Sequence, residues 1–303
     1  MSTTALEQAR TLTLPSREAM LQRAPSVQAF WLEHQTLLSE AWSEWEKVQS
    51  DTLPQLNDSL INPVIKNAVD NAWKQPLTEN AVKELWQEIV PGVYQCQFFA
   101  PDKLPLLNQY LDHVADAKIP LRPPYGIVLN RRGMMLDRRS QGYLATPHFQ
   151  AFYQMLIDVY MRPISRLLFP EVTGHDTQSF GFSIQYQPSK DTSIRPHTDA
   201  SAVTLNINLN APGETFSGST VDFFNPETGK THALTFEPGT AVIHRGNVPH
   251  AAQPITSGTR SNLVLWLYGE NGFVPRFDST DLSIPPEQRW TIPATVADSF
   301  APF

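Results

Sequence analysis

"SIRPHTDASAVTLNINLN", residues 193–210, is the stretch on which the fold turns. Beyond Asp199, apolar Val203, Leu205, Ile207 and Leu209 alternate with polar Thr204, Asn206, Asn208 and Asn210. A period of two marks a strand with two unlike faces, one of them turned to a core. The run opens with His197, one spacer and Asp199. On an extended chain these two side chains point the same way, about 7 Å apart, so two metal-binding groups face one point. A lone H-x-D also fits a capped strand start or a surface pair, and the motif by itself leaves these readings open.

From residue 179 onward strand follows strand, with "SFGFSIQY" (179–186) before this stretch and "TVDFF" (220–224), "THALTF" (231–236), "GTAVIHR" (239–245) and "SNLVLWLYG" (261–269) after it. Short strands parted by Gly, Pro, Asn and Ser predict an antiparallel sandwich or barrel. Upstream the pattern is helical. Ser26 is placed to cap a helix carrying Phe30, Leu37, Leu38, Ala41, Trp42, Trp45 and Val48 on one side. "LTENAVKELWQEI" (77–89) predicts another, ended by Gly92. Then come a strand, "VYQCQFF" (93–99), a helix started by Asp102 with Leu104, Leu107, Leu111 and Val114 on one side, and a strand, "YGIVLN" (125–130). A long helix over 148–168, bent or divided by Pro163, bears an aromatic stripe that reads as core. The resulting expectation is α+β with a mainly β core: a helical region over 1–90, a β domain over 91–275 and an extended tail over 276–303.

A formal charge of −7 without a basic stripe argues against nucleic acid as a partner. The local exception is "RRGMMLDRR", residues 131–139, either a solvated loop or a seat for an anionic group. Cys96 stands alone, so no internal disulfide forms, and no apolar run approaches the ~18 residues of a membrane span. The first 25 residues lack a signal-peptide core, and a cytoplasmic protein is expected.

The weight of the H-x-D motif comes from "VIHRGNVPHAAQPITSGTRSNLVLWLYG", residues 242–269. His250 precedes a strand there, and Arg260 opens the next one. Two histidines and a carboxylate occupy one face of an octahedral ion and leave three positions open. A bidentate 2-oxo acid takes two of them and dioxygen the third, and an arginine fork suits the acid's remote carboxylate. Arg260 fits that role. His244 competes with His250 as third ligand, but "AVIHRG" reads as a strand end and His250 is preferred. Two rival readings use the same residues: a zinc hydrolase, and a binding module without turnover.

Together these residues resemble the iron(II)- and 2-oxoglutarate-dependent dioxygenases, in particular the prolyl/lysyl-hydroxylase-like branch. "IQYQPSKDTSIRPHTDASAVTLNINLN" is similar to the core of collagen lysyl hydroxylases, while "YGIVLN", "PISRLLFPE" (163–171) and the 242–269 segment resemble the 2-oxoglutarate and iron-dependent oxygenase domain proteins. The similarity spans roughly 93–270. It implies a double-stranded β-helix, or jelly roll, with Fe(II) on His197, Asp199 and His250 and 2-oxoglutarate on Arg260. It further implies Tyr186 beside the cosubstrate, and Thr204, Asn206 and Asn262 in the same pocket. The implied reaction consumes dioxygen, with ascorbate as a reductant, and hydroxylates a small molecule or an amino-acid side chain, free or peptidyl. Relatives commonly carry two glycines where this chain has Gly218 and Ser219.

Overall fold

The alternation that begins at Val203 separates two environments. In the computed structural model, which describes residues 3–22, 24–124, 132–136, 144–225, 228–275 and 284–293, Val203, Leu205, Ile207 and Leu209 join one large core with the helices. Thr204 and Asn206 face a cavity shared with Tyr186, His250 and Arg260.

Thirteen strands are described: β1 (Gln87–Val90), β2 (Val93–Gln97), β3 (Met134–Met135), β4 (Gln178–Tyr186), β5 (Ile194–His197), β6 (Val203–Asn208), β7 (Phe216–Gly218), β8 (Val221–Phe224), β9 (Thr231–Leu234), β10 (Thr240–Arg245), β11 (His250–Ala252), β12 (Ile255–Gly258) and β13 (Arg260–Tyr268). They form a seven-stranded sheet ordered β1-β2-β10-β6-β13-β4-β3, a four-stranded sheet β5-β11-β8-β9 and a ribbon β12-β7. Neighbouring strands run antiparallel. This is a double-stranded β-helix. On β13, Leu263, Leu265 and Leu267 face the helices. Val264, Trp266 and Tyr268 pack with Phe180, Phe182 and Ile184 in a second core.

Nine α-helices are described: α1 (Ala5–Ala9), α2 (Arg17–Leu21), α3 (Pro25–Val48), α4 (Pro63–Lys74), α5 (Asn80–Lys83), α6 (Leu104–Asp116), α7 (Pro147–Met155), α8 (Arg162–Leu168) and α9 (Pro286–Arg289). Leu104, Leu107, Leu111 and Val114 of α6 are buried on one side, as their spacing predicts. Trp31 and Trp42 of α3 are fully buried, and a large apolar side chain so placed contributes about 1.5–3 kcal/mol.

Several local expectations are corrected. The helix predicted over 77–89 shrinks to α5, because residues 87–90 pair with β2 as a hairpin edge. Sheet pairing outweighs the local helical pattern there. Ala24, not Ser26, stands at the start of α3, with Pro25 in the first turn. Asp102 lies in a 3-10 turn ahead of α6 and does not cap it. The tail is not wholly extended: α9 forms a helical turn, and the adjoining Trp290 is buried, its Nε1 donating to Glu79. The strand predicted over 125–130 lies outside the described residues.

The division of the 148–168 helix has a physical cause. Pro163 has no N–H for the carbonyl of Val159, four residues back. The ladder loosens into a π-helix over Leu156–Met161. Trp73 Nε1 donates to the Val159 carbonyl at 2.9 Å, so the bond that proline removes is replaced from α4.

Ser219 adopts the left-handed φ of +55° that a second glycine would take without strain, and its N–H donates to Pro254 O at 3.0 Å.

Candidate metal and cosubstrate site

The opening stretch is two strands rather than one. β5 belongs to the small sheet and ends at His197, β6 belongs to the large sheet and begins at Val203, and Asp199 sits where the chain crosses between them. The crossing is held by backbone bonds from Asp199 N to Gly246 O (2.8 Å) and from Ala202 N to Leu267 O (2.7 Å). Gly246 is required for that approach, since a Cβ there would lie 1.9 Å from Ser201 O.

His250 opens β11 and stands opposite His197 in the ladder, with ring centroids 4.3 Å apart. The Nε2 atoms of His197 and His250 lie 3.4 and 3.8 Å from Asp199 Oδ1. The three ligand atoms all fall within 4.8 Å of one another. Each imidazole donates Nδ1–H to a backbone carbonyl, His197 to Arg195 (2.8 Å) and His250 to Val248 (3.0 Å). Both Nε2 lone pairs are thereby directed to the centre. The rings reach one point from two paired strands.

The charges suit a cation. Burial would raise the Asp199 carboxyl, but the contact with His197, the nearby His250 and His244 and the Thr204 hydrogen bond hold it at about 2. Burial lowers His250, with His197 adding to the effect. Burial would also lower His197, but its contact with Asp199 and the Arg195 carbonyl raise it. A carboxylate and two imidazoles in one cluster form a donor set that a divalent ion organises by displacing protons.

Arg260 opens β13 opposite Tyr186, and its guanidinium lies over the Tyr186 ring at 4.4 Å and near Phe236 at 5.6 Å. The residue is 1% exposed. Its Nε and Nη1 have no hydrogen-bond partner among the described residues. A buried cation with free donors calls for an anion. These orphaned nitrogens, in one cavity with the triad, fit the remote carboxylate of 2-oxoglutarate, and the His/Asp/His donors fit iron(II).

Thr204 lines the cavity and donates to Asp199 Oδ2 at 2.6 Å, so it also orients the carboxylate of the candidate triad. Asn206 lines the cavity and its Oδ1 accepts from Asn262 Nδ2 at 2.6 Å. Asn262 is buried behind it, where it sets the Asn206 amide rather than lining the cavity itself. His244 is placed close by but outside the set of three ligands, its Nε2 4.0 Å from Asp199 Oδ2. Burial, with His250 alongside, lowers it to about 4. Gly246 and Phe223, which packs on both His244 and His250, were not identifiable from sequence; only the "HRG" segment hinted at the first. Of the 131–139 arginines, Arg132 is spent on Asp112 and Asn108; Arg131, Arg138 and Arg139 lie outside the described residues.

The fold and the site define a candidate mononuclear metal centre beside a buried, unpaired arginine in a double-stranded β-helix. Residues 175–268 match the family model of the 2OG-Fe(II) oxygenase superfamily. It is 26% identical over 266 residues to the 2-oxoglutarate and iron-dependent oxygenase domain-containing protein ICU11 of Arabidopsis thaliana, covering 82% of this chain and 62% of that protein. It is 31% identical over 186 residues to the human 2-oxoglutarate and iron-dependent oxygenase domain-containing protein 2, covering 58% and 48%. Over 111 residues it is 31% identical to the multifunctional procollagen lysine hydroxylase and glycosyltransferase LH3 of Rattus norvegicus, covering 36% and 15%. The chain thus spans about half to three-fifths of the length of the oxygenase-domain relatives. An 82% coverage also exceeds the 93–270 span, so the likeness extends into the flanks.

Proposed function

We propose that this chain is an iron(II)- and 2-oxoglutarate-dependent dioxygenase that hydroxylates an unactivated C–H bond, in an amino-acid side chain, free or peptidyl, or in a small molecule. The observation that carries this reading is a His/Asp/His triad sharing a cavity with a buried arginine whose Nε and Nη1 are unpaired. A zinc hydrolase would use the triad without that anchor.

His197, Asp199 and His250 would hold the metal, and Arg260 would pair with the distal carboxylate of the cosubstrate. When bound, iron(II) and 2-oxoglutarate supply dioxygen activation, with oxidative decarboxylation to succinate and carbon dioxide and transfer of one oxygen atom to the substrate. The chain supplies orientation and dryness. Tyr186 presents its ring to Arg260, Asn262 holds the Asn206 amide in one orientation, and Phe182, Ile184 and Val264 give the cavity an apolar wall. A low-dielectric wall strengthens the Arg260 ion pair and excludes water.

The His197 side chain is 33% exposed, against 6% for Asp199 and 11% for His250. The mouth therefore opens beside β5, and substrate approaches over the exposed Arg195–Pro196–Thr198 rim. A peptidyl substrate is supported by the relative named a procollagen lysine hydroxylase. The lone, buried Cys96 suits a reducing compartment such as the cytoplasm. No helix among the described residues is long and apolar enough to cross a membrane.

The test is aerobic incubation with iron(II), ascorbate and 2-oxoglutarate, following succinate and the mass of candidate peptides and amino acids. Succinate formation with a mass gain of ~16, one inserted oxygen atom, is expected. Full activity with zinc alone and no need for 2-oxoglutarate would refute the reading.

A further inference from the structure

Three imidazoles, not two, surround Asp199. His244 is held as the triad histidines are, its Nδ1 2.8 Å from a backbone carbonyl, that of Arg245. A carbonyl only accepts, so Nδ1 carries the proton and Nε2 keeps its lone pair. His197 and His250 direct their Nε2 atoms to Asp199 Oδ1, whereas His244 Nε2 stands 4.0 Å from Oδ2. Two acceptors at that distance form no hydrogen bond. Oδ2 instead accepts from Thr204 Oγ1 at 2.6 Å, and Thr204 is the residue opposite His244 in the β10–β6 ladder.

The His244 ring has little freedom to move. It is 2% exposed, lies edge-on to His250 at 4.8 Å and to Phe223 at 5.4 Å, and the neighbouring Arg245 is tied to Glu171 and stacked over Phe169. A histidine that only filled space could be replaced by any side chain of similar bulk. This one meets the one carboxylate that the metal centre uses, on the oxygen the other two imidazoles do not face.

We propose that His244 is a positioning residue of the metal centre: it forms the wall against which Asp199 is set, and with Thr204 it keeps the carboxylate presenting Oδ1 to the ligand imidazoles. Thr204 supplies the attraction that holds Oδ2, and the His244 lone pair supplies a boundary that gives Oδ2 no second donor. The orientation matters because one carboxylate oxygen on the ion leaves three positions open and two oxygens leave only two. The inference rests on the metal-centre reading above.

The experiment is anaerobic titration of the full chain, wild type and the variants His244→Leu and His244→Gln, with cobalt(II). It records affinity, the electronic spectrum at saturation and the thermal midpoint. Leu removes the ring and every nitrogen; Gln brings an amide N–H able to donate to Oδ2. Both variants are expected to bind cobalt about 10–100-fold more weakly and to show shifted ligand-field bands, which loss of packing at a distance would not produce. Since Leu alone could disturb folding, the Gln variant keeps the test decisive. Folded variants with wild-type affinity and spectrum would overturn the inference while leaving the triad intact. A wild-type protein that binds no cobalt would overturn the metal-centre reading, and this one with it.

Discussion

Arg260 and Tyr186 stand opposite each other in the β13–β4 ladder, with the guanidinium 4.4 Å above the phenol ring. The pair keeps a cation in the barrel without neutralising it, and burial pushes the Arg260 pKa down although Tyr186 partly offsets this. Such an arginine is costly to the folded chain and useful to a ligand.

Arg260→Met is therefore expected to act in opposite directions on binding and stability. Removing the partner of a buried carboxylate costs about 2–5 kcal/mol of 2-oxoglutarate binding. Deleting an unpaired buried charge leaves the ligand-free protein as stable or more so. Calorimetric titration of the manganese(II)-loaded protein and a thermal melt of the ligand-free protein check the two halves. Unchanged binding would show that the anchor lies elsewhere.

Thr204→Val removes the 2.6 Å bond to Asp199 Oδ2. Metal affinity is expected to fall by about tenfold, and Thr204→Ser, which keeps the hydroxyl, should restore most of it. A Ser variant as weak as Val would point to the methyl group instead.

Gly246→Ala places a Cβ 1.9 Å from Ser201 O and 2.6 Å from Ser201 Oγ. The strands must part where Asp199 N bonds to Gly246 O. A loss of about 1–3 kcal/mol of stability is expected from such overpacking, with metal binding reduced in the fraction that folds. Denaturant unfolding with and without cobalt measures both.

Trp73→Phe leaves the Val159 carbonyl without the indole donor, an expected cost of about 1–3 kcal/mol. In a Pro163→Ala background the new N–H at residue 163 can serve that carbonyl, so the same substitution should cost less. A double-mutant cycle reads the coupling directly; additive effects would refute the exchange of donors.

Burial raises the Cys96 thiol from 9.0 to about 12. The folded chain keeps this proton where the unfolded chain loses it, so above pH 9 the unfolded state binds fewer protons and stability falls as pH rises toward about 12. Folded protein should resist iodoacetamide at pH 8 and react only under denaturant. Rapid labelling of the folded chain would show the thiol to be accessible.

The residues that come together as a candidate site stand out in the sequence because their chemistry is rare and their spacing short: His197 and Asp199 two apart, and His250 and Arg260 each at the start of a strand. The β core was legible from period-two alternation. The helix predicted over 77–89 was not corrected by any local signal, since its last residues become β1 only through pairing with β2. His244 could be named as a rival ligand but not located, because the 4.0 Å that separates it from Asp199 depends on how β10 lies beside β6.

By itself the sequence determined which faces are apolar, where strands follow one another, and which side chains can hold a metal and a carboxylate, because these follow from residue chemistry and local period. Only the tertiary structure decided that the H-x-D segment crosses between two sheets, that Gly246 lets it pass, that Asn262 stands behind Asn206, and that a third imidazole borders Asp199. Those relations join residues far apart in the chain, and strand register sets their distances.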